Sequence, residues 1–509
     1  MRLSRKPYDV PLLLASGLLV GLYVLSGGGG FPLDDSWIHQ VYARNLAWRG
    51  EWAFVPGQPS AASTSPLYTV LLAIGYSLHL PYLLWTSLLG VAALALTGMA
   101  GGRIADWLLP QRWLAGWAAG LVLVFSWHLI WAAAAGMETM LFSAFTLVLI
   151  GLGGWEWQAV RRDVRATVWR GAGFGGIAAL AVMTRPEGAL LAGLVGVLLL
   201  VLRPGGRLIG WWIVGAGVAF GVVVSPYLLL NLSLTGTPLP NTASAKQAQI
   251  APRLMLSYPQ RVADMIYPLI AGAQLLLVPG MIYGFWRNMR SAEWPRIFLA
   301  LLLVLWPVAL ILLYAARLPA PYQHGRYVIP ALPALIVLGV VGSFHLLDAS
   351  RSHVLRRVTA RALVICMVLT LVFFAFGPGL RAYETDVRII QEEMVAPAQW
   401  IADNINTEDL LAVHDIGAVG YFAARPILDV AGLVSPEVVP IYHDEEALWA
   451  LMRTRDVAYL MAFPDQLPGH DVTDARLCPV FASPGSTSSA QGAGKMVVYR
   501  LAWDGECNG

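Results

Sequence analysis

Charged residues make up only 13% of this 509-residue chain, and the formal net charge is +3. So little charge excludes an ordinary soluble globular surface. So small an imbalance, spread between apolar segments rather than gathered in one patch, argues against a nucleic-acid partner. Cysteine is nearly absent, with three residues, which excludes a disulfide-rich scaffold and a zinc cluster built on thiolates. Of these, Cys478 and Cys507 share the C-terminal region and can pair if that region is extracytoplasmic. Lysine occurs three times, at Lys6, Lys246 and Lys495, so arginine carries nearly all the positive charge. There is no repeat of fixed period and no pair of matching halves, which weakens a transporter assembled from repeats. What is abundant is apolar sequence, with 57% hydrophobic residues and a mean hydropathy of +0.62. That is the composition of a polytopic membrane protein.

Apolar stretches of spanning length are expected at 10–26, 82–100, 113–134, 139–153, 171–184, 188–202, 208–230, 265–286, 297–315, 327–346 and 361–376. That is about eleven spans by the length rule, with 67–78 as a shorter helix in the outer leaflet or, alternatively, a full span. The basic start, Arg2, Arg5 and Lys6, precedes an apolar stretch without a small-residue cleavage site and reads as a retained anchor. Further arginines fall in alternate loops: Arg103 and Arg112; Arg161, Arg162, Arg165 and Arg170; Arg203 and Arg207; Arg287, Arg290 and Arg296; Arg351, Arg356, Arg357 and Arg361. The positive-inside rule puts these loops in the cytoplasm and the others outside. An odd span count then places the C-terminal region outside as well. From 378 to 509 the composition becomes that of a soluble domain. A helix is expected at 397–405, strands at 409–414, 457–463 and 496–503, and a surface loop at 483–494, which together indicate a small α/β domain.

The loop leaving the first span is the most informative stretch. It reads Phe31-Pro32-Leu33-Asp34-Asp35-Ser36-Trp37-Ile38-His39, continues through Tyr42-Ala43-Arg44-Asn45-Leu46 and closes on Ser63-Thr64-Ser65-Pro66-Leu67. Paired carboxylates at a membrane exit are costly unless something uses them. A membrane-surface helix is expected after them, capped by Ser36, with Trp37, Ile38, Val41, Leu46 and Trp48 as interfacial bulk.

This loop resembles the first external loop of the GT-C class, the integral-membrane glycosyltransferases that use polyprenyl-phosphate sugars. The class includes protein O-mannosyltransferases, lipid A aminoarabinose transferases and mycobacterial arabinofuranosyltransferases. The resemblance implies an α-helical polytopic fold, GT-C-like, with a small C-terminal extracytoplasmic α/β domain. It also implies Asp34 as the base and Asp35 as its partner. Asp415-Ile416-Gly417-Ala418-Val419-Gly420-Tyr421 and Asp429-Val430-Ala431-Gly432-Leu433 are similar to the external domain of bacterial members. Ala61 to Leu67 stands where the aminoarabinose branch carries an acidic-basic pair. The first loop together with the Gly136-Met137-Glu138-Thr139 and Arg185-Pro186-Glu187-Gly188 turns looks closest to the arabinofuranosyltransferase-like branch.

Read as chemistry, the residues divide by what they could supply. Asp34 and Asp35 repel, so either one titrates high or the pair holds a divalent cation, with Glu138 as a further ligand. The bland alternative is a solvated loop in which Asp35 caps a helix. His39, one turn on, orients a carboxylate, touches substrate or simply faces water. Glu138 lines the cavity, as the resemblance implies, or serves a helix N-terminus. Arg185 and Glu187 flank a proline and either pair with each other or line the cavity. Lys246 reaches substrate or is solvated. Arg326, before a proline-rich helix start, is placed to meet a lipid-linked phosphate, with His324 beside it. Arg44 snorkels or salt-bridges, and Trp37 or Trp52 would stack on a sugar.

The expectation is an inverting transferase at the outer face of the cytoplasmic membrane, moving a sugar from a polyprenyl-phosphate donor to a glycan, lipid or protein acceptor. The rival classes are a lipid or polysaccharide transporter and a noncatalytic assembly protein.

Overall fold

The computed structural model describes residues 5–158, 163–202, 207–238, 240, 242–350, 353–485, 487–490, 494–505 and 507. Arg2, Arg161, Arg162, Arg203 and Arg351 of the expected cytoplasmic pattern, and residues 486 and 491–493 of the expected surface loop, lie outside them.

All eleven expected stretches contain helix, because runs of apolar residues in a bilayer must satisfy their backbone groups internally. Eight helices are long and apolar enough to cross a membrane, or up to ten if each of two bent pairs is one span. The protein is a multi-pass membrane protein. The stretch 113–134 is Leu114–Val124 followed by Trp127–Ala134, bent by 56°. The stretch 265–286 is not one rod either: Tyr258–Ile270 and Ala273–Met289 meet at 101°. The corner turns on Gly272, whose φ of 145° is costly for any residue with a Cβ. Gly188–Leu202 and Pro66–Ser77 are shorter apolar helices. Prolines open several helices, at Pro66, Pro295 and Pro378, where a missing N–H costs nothing.

The first loop supplies a helix, Asp34–Arg49, and a hairpin of β1, Ala53–Val55, with β2, Gln58–Pro59. The C-terminal domain holds a five-stranded sheet of β3, Leu410–Val413, β4, Ile427–Asp429, β5, Val457–Ala462, β6, Leu477–Ala482, and β7, Val497–Leu501. Their order is β4-β3-β5-β7-β6. β3 is parallel to β4 and β5, and β7 is antiparallel to β5 and β6. Cys478 of β6 is disulfide-bonded to Cys507. The expected surface loop is only partly that: Ser483 and Ser488 are buried and donate to the Glu393 carboxylate, which also accepts from Met496 N at 2.9 Å.

The apolar face of the first-loop helix is covered by protein rather than open to lipid. Trp37, Ile38 and Val41 are buried, and only Trp48 is fully exposed, at 61%. Trp37 packs against Tyr421 and Phe422 of the C-terminal domain, with ring centroids 4.8 Å away in each case. Ser36 does not cap the helix; its hydroxyl donates to Ala135 O at 2.7 Å. The apolar face read as lipid-facing is therefore the seat of the C-terminal domain. A single sequence gives the two uses of such a face the same pattern.

Candidate active site

Two consecutive carboxylates leave the start of the first-loop helix in different directions. Asp34 accepts hydrogen bonds from Gly417 N at 2.7 Å and Ala418 N at 2.8 Å. These amides open the helix Ile416–Phe422, whose orphan N–H groups favour negative charge. At the far end of that helix Arg44 donates to Tyr421 O at 2.8 Å and Gly420 O at 3.2 Å. Asp34 and Arg44 thus hold the two poles of one helix, which fixes the C-terminal domain to the first loop. Among the described residues Arg44 makes no salt bridge; these carbonyls take its guanidinium instead.

The approach is close enough to specify a glycine. A Cβ on Gly417 would come within 2.1 Å of Asp34 O. Burial, and next the neighbouring charge of Asp415, push the Asp34 carboxyl up to about 7 against the pull of the two amides.

Asp35 faces the other way, into a cavity of about 380 Å³. Arg326 Nη2 donates to Asp35 Oδ2 at 2.5 Å, and Lys246 Nζ lies 3.9 Å from Oδ1. Burial opposes the charge of Asp35, but Lys246 and Arg326 outweigh it and hold the carboxyl well below the usual range. Lys246 is displaced upward in turn, Asp35 overcoming its desolvation.

The same cavity is lined by His39, Glu138, Arg185 and Glu187, with Tyr314 and Tyr327. His39 Nε2 bonds Glu138 Oε2 at 3.1 Å rather than orienting Asp35. Arg185 is fully engaged: Nη1 donates to Glu138 Oε1 at 2.9 Å, Nε to Glu187 Oε2 at 3.3 Å and Nη2 to the Tyr314 hydroxyl at 2.5 Å. Tyr314 closes the ring by donating to Glu187. With His39 and Arg185 pairing it, Glu138 stays ionised down to about 2 despite its burial.

Arg326 is different. It is only 4% exposed, and beyond its bonds to Asp35 and to the Tyr327 hydroxyl its Nε and Nη1 are buried with no partner among the described residues. Buried guanidinium donors without partners are expensive, and a ligand anion would satisfy them.

Sequence reasoning thus named seven residues that the fold brings to one cavity: Asp35, His39, Glu138, Arg185, Glu187, Lys246 and Arg326. Asp34 does not line it, and neither does His324, whose Nε2 lies 2.7 Å from Asp386 Oδ2 beside Trp127 and Trp131. Trp37 is enclosed by aromatic rings, and Trp52 packs on Tyr42 and Tyr227, so neither offers the cavity a stacking face. Tyr314 was missed. Its only signal was a phenol in the last turns of an otherwise apolar span. Leu433, from the C-terminal domain, completes the lining. Ile38, Leu190, Leu313 and Leu318 give the cavity an apolar wall suited to a lipid chain. Among the described residues no group of three or more His, Cys, Asp or Glu is gathered as a metal site would need. Asp34 and Asp35 do not converge on one point.

Comparison with known proteins extends this picture. Residues 380–499 match a family described as a domain of unknown function (DUF8728). No curated protein matches the chain. Among solved structures, the chain is similar to ArnT from Cupriavidus metallidurans bound to undecaprenyl phosphate, at 16% identity and TM-score 0.60, over 99% of this chain and 100% of that one. The apo state of that protein gives 15% identity and TM-score 0.62, over 98% and 99%. The Archaeoglobus fulgidus oligosaccharyltransferase, in complex with Zn and sulfate, gives 11% identity and TM-score 0.60, over 98% of this chain and 74% of that one. The chain shares the fold of these two proteins along nearly its whole length.

Proposed function

We propose that this protein is an inverting glycosyltransferase that moves a sugar from a polyprenyl-phosphate donor to an acceptor hydroxyl. The observation that carries the reading is Arg326, buried at a cavity with two unpartnered donors and an ion pair to Asp35. The fold supports it, as does the apolar cavity wall, and ArnT has been solved with undecaprenyl phosphate bound.

In this reading the donor phosphate binds Arg326 and Lys246 and competes with Asp35 for them. Losing its cationic partners, Asp35 becomes more basic when the donor is in place, when a base is needed. The acceptor oxygen attacks the anomeric carbon as the bond from that carbon to the phosphate oxygen breaks. The acceptor proton passes to Asp35, and the polyprenyl phosphate leaves with its charge held by Arg326 and Lys246. Asp34, assigned the base by the sequence motif, here locks the C-terminal domain in place. The ring of His39, Glu138, Arg185, Glu187 and Tyr314 shapes the sugar side of the cavity.

The working face is extracytoplasmic. The described arginines of the expected cytoplasmic pattern, such as Arg112, Arg287 and Arg296, lie at the other ends of the helices, and the Cys478–Cys507 disulfide suits an oxidising compartment. The test is turnover of labelled short-chain polyprenyl-phosphate sugars by purified protein. Consumption of one donor with release of polyprenyl phosphate is the expected result. Movement of labelled lipid across liposomes without consumption of any donor would replace the transferase with a transporter.

A further inference from the structure

At the opposite end of the helix bundle lies a second cavity, of about 690 Å³, larger than the first and lined by different chemistry. The two share helices. Tyr314 and Arg317 near the end of Trp294–Arg317 line the first cavity, while Arg296 near its start lines the second. At 1.5 Å per residue, Arg296 and Tyr314 are roughly 27 Å apart, about one bilayer core. Arg326 and Tyr327 precede the helix Leu332–Ala349, and His345 and Asp348 near its end line the second cavity. The second cavity therefore opens at the face that the arginine pattern assigns to the cytoplasm.

Its lining holds Arg112, Arg287, Arg290 and Arg296 with His345, against one carboxylate, Asp348. Asp348 is taken by Arg112. Arg296 reaches out to Glu293 through Nη2 at 3.1 Å and leaves Nε buried without a partner among the described residues. The Arg287 side chain makes no hydrogen bond or ion pair among the described residues, and Arg290 lies over the Trp286 ring at 4.3 Å. Trp286 and Trp294, close in the chain to Arg287 and Arg296, are exposed, and indoles mark the boundary between headgroups and hydrocarbon. The excess of cation is thus concave, partly unpaired and level with lipid headgroups.

We propose that this cavity binds a phosphate-bearing anion, a phospholipid headgroup or a soluble phosphate ester, at the face of the protein opposite the sugar-transfer site. Arg287 and Arg296 would make the phosphate contacts, Arg296 through the fork that Glu293 leaves half free.

The test is native mass spectrometry of the full chain in detergent, titrated with dioctanoyl phosphatidylglycerol and, separately, dioctanoyl phosphatidylcholine. Wild type is compared with Arg287→Gln/Arg296→Gln and with Arg287→Lys/Arg296→Lys. Arg326 and the first cavity are unchanged in all three proteins, so differences report on the second cavity alone. Wild type should prefer the anionic lipid. The glutamine pair should bind it roughly 20-fold more weakly, with phosphatidylcholine unaffected, and the lysine pair should recover most of the loss. If the glutamine pair fails to fold, Arg287→Gln alone, at an exposed position, should still weaken binding about fivefold. Competition by millimolar inorganic phosphate would make a soluble ester the ligand, and its failure to compete would make it the lipid. Equal binding by wild type and the glutamine variants, or no preference for the anionic lipid, overturns the proposal.

Discussion

One peptide unit separates Asp34 from Asp35, yet their environments drive the two carboxyls in opposite directions. Asp34, pushed up to about 7 by burial and by Asp415, binds its proton more tightly in the folded protein than in the unfolded chain, where a carboxyl titrates near 3.9. The folded state therefore takes up protons, and the stability this contributes is complete below about pH 4 and is lost as pH rises towards 7. Three units would correspond to at most about 4 kcal/mol. Thermal melts across this window should show wild type losing stability as pH rises. Asp34→Asn should flatten the slope, and an unchanged slope would refute the assignment. Gly417→Ala tests the same contact sterically: with a Cβ 2.1 Å from Asp34 O, the helix must move, at a cost of about 1–3 kcal/mol. Its melting point should fall accordingly. Which of two adjacent acids faces a cavity cannot be read from a dipeptide, because the choice is made by Gly417 and Ala418, more than 380 positions later. Arg326 was legible as a cavity residue, since a cation just before Pro330 and Pro333 stands where an apolar helix begins. His324 carried the same signal, but Asp386 draws it aside.

At the scale of elements, periodicity and apolar run length located the helices, because in a bilayer those two properties decide where a helix can stand. Breaks inside a run were harder to see. Gly272, set between two alanines, turns an expected straight span through a corner, and Gln274 ties the corner by donating to Ala271 O at 3.1 Å. Gly272→Ala should destabilise the protein by about 1–3 kcal/mol and should change the environment of Trp127, whose indole donates to Ala271 O at 2.7 Å. Tryptophan fluorescence together with a melt would read both effects. In the sheet, β3, β5 and β7 announced themselves as branched apolar runs. β4 has only three residues and β6 carries Pro479, so neither met the strand pattern. The first-loop helix was found and its face misread, since lipid and a docked domain ask the same residues of a helix.

At the scale of the whole molecule, both parts of the chain enclose one cavity, the C-terminal domain contributing Leu433 and steadying the first loop through Asp34 and Arg44. The proposed placement of that domain outside the cell makes a prediction about cysteine. In protein isolated under alkylating conditions, Cys478 and Cys507 should appear as a linked pair. Cys478→Ser should cost about 3 kcal/mol of domain stability. Two alkylated cysteines at 478 and 507 in native membranes would place the domain in a reducing compartment instead.

The central claim is that Asp35, rather than Asp34, meets the reacting hydroxyl. The most direct measurement is single-turnover transfer from the donor that wild type consumes, with Asp34→Asn and Asp35→Asn alongside, each first shown to fold by its melt. Loss of a general base costs about 10²–10⁴-fold. Asp35→Asn should fall by that much at every pH, while Asp34→Asn should retain activity within about tenfold of wild type, its loss tracking any loosening of the C-terminal domain. Near-normal turnover by Asp35→Asn with a dead but folded Asp34→Asn would contradict the account and return the base to Asp34.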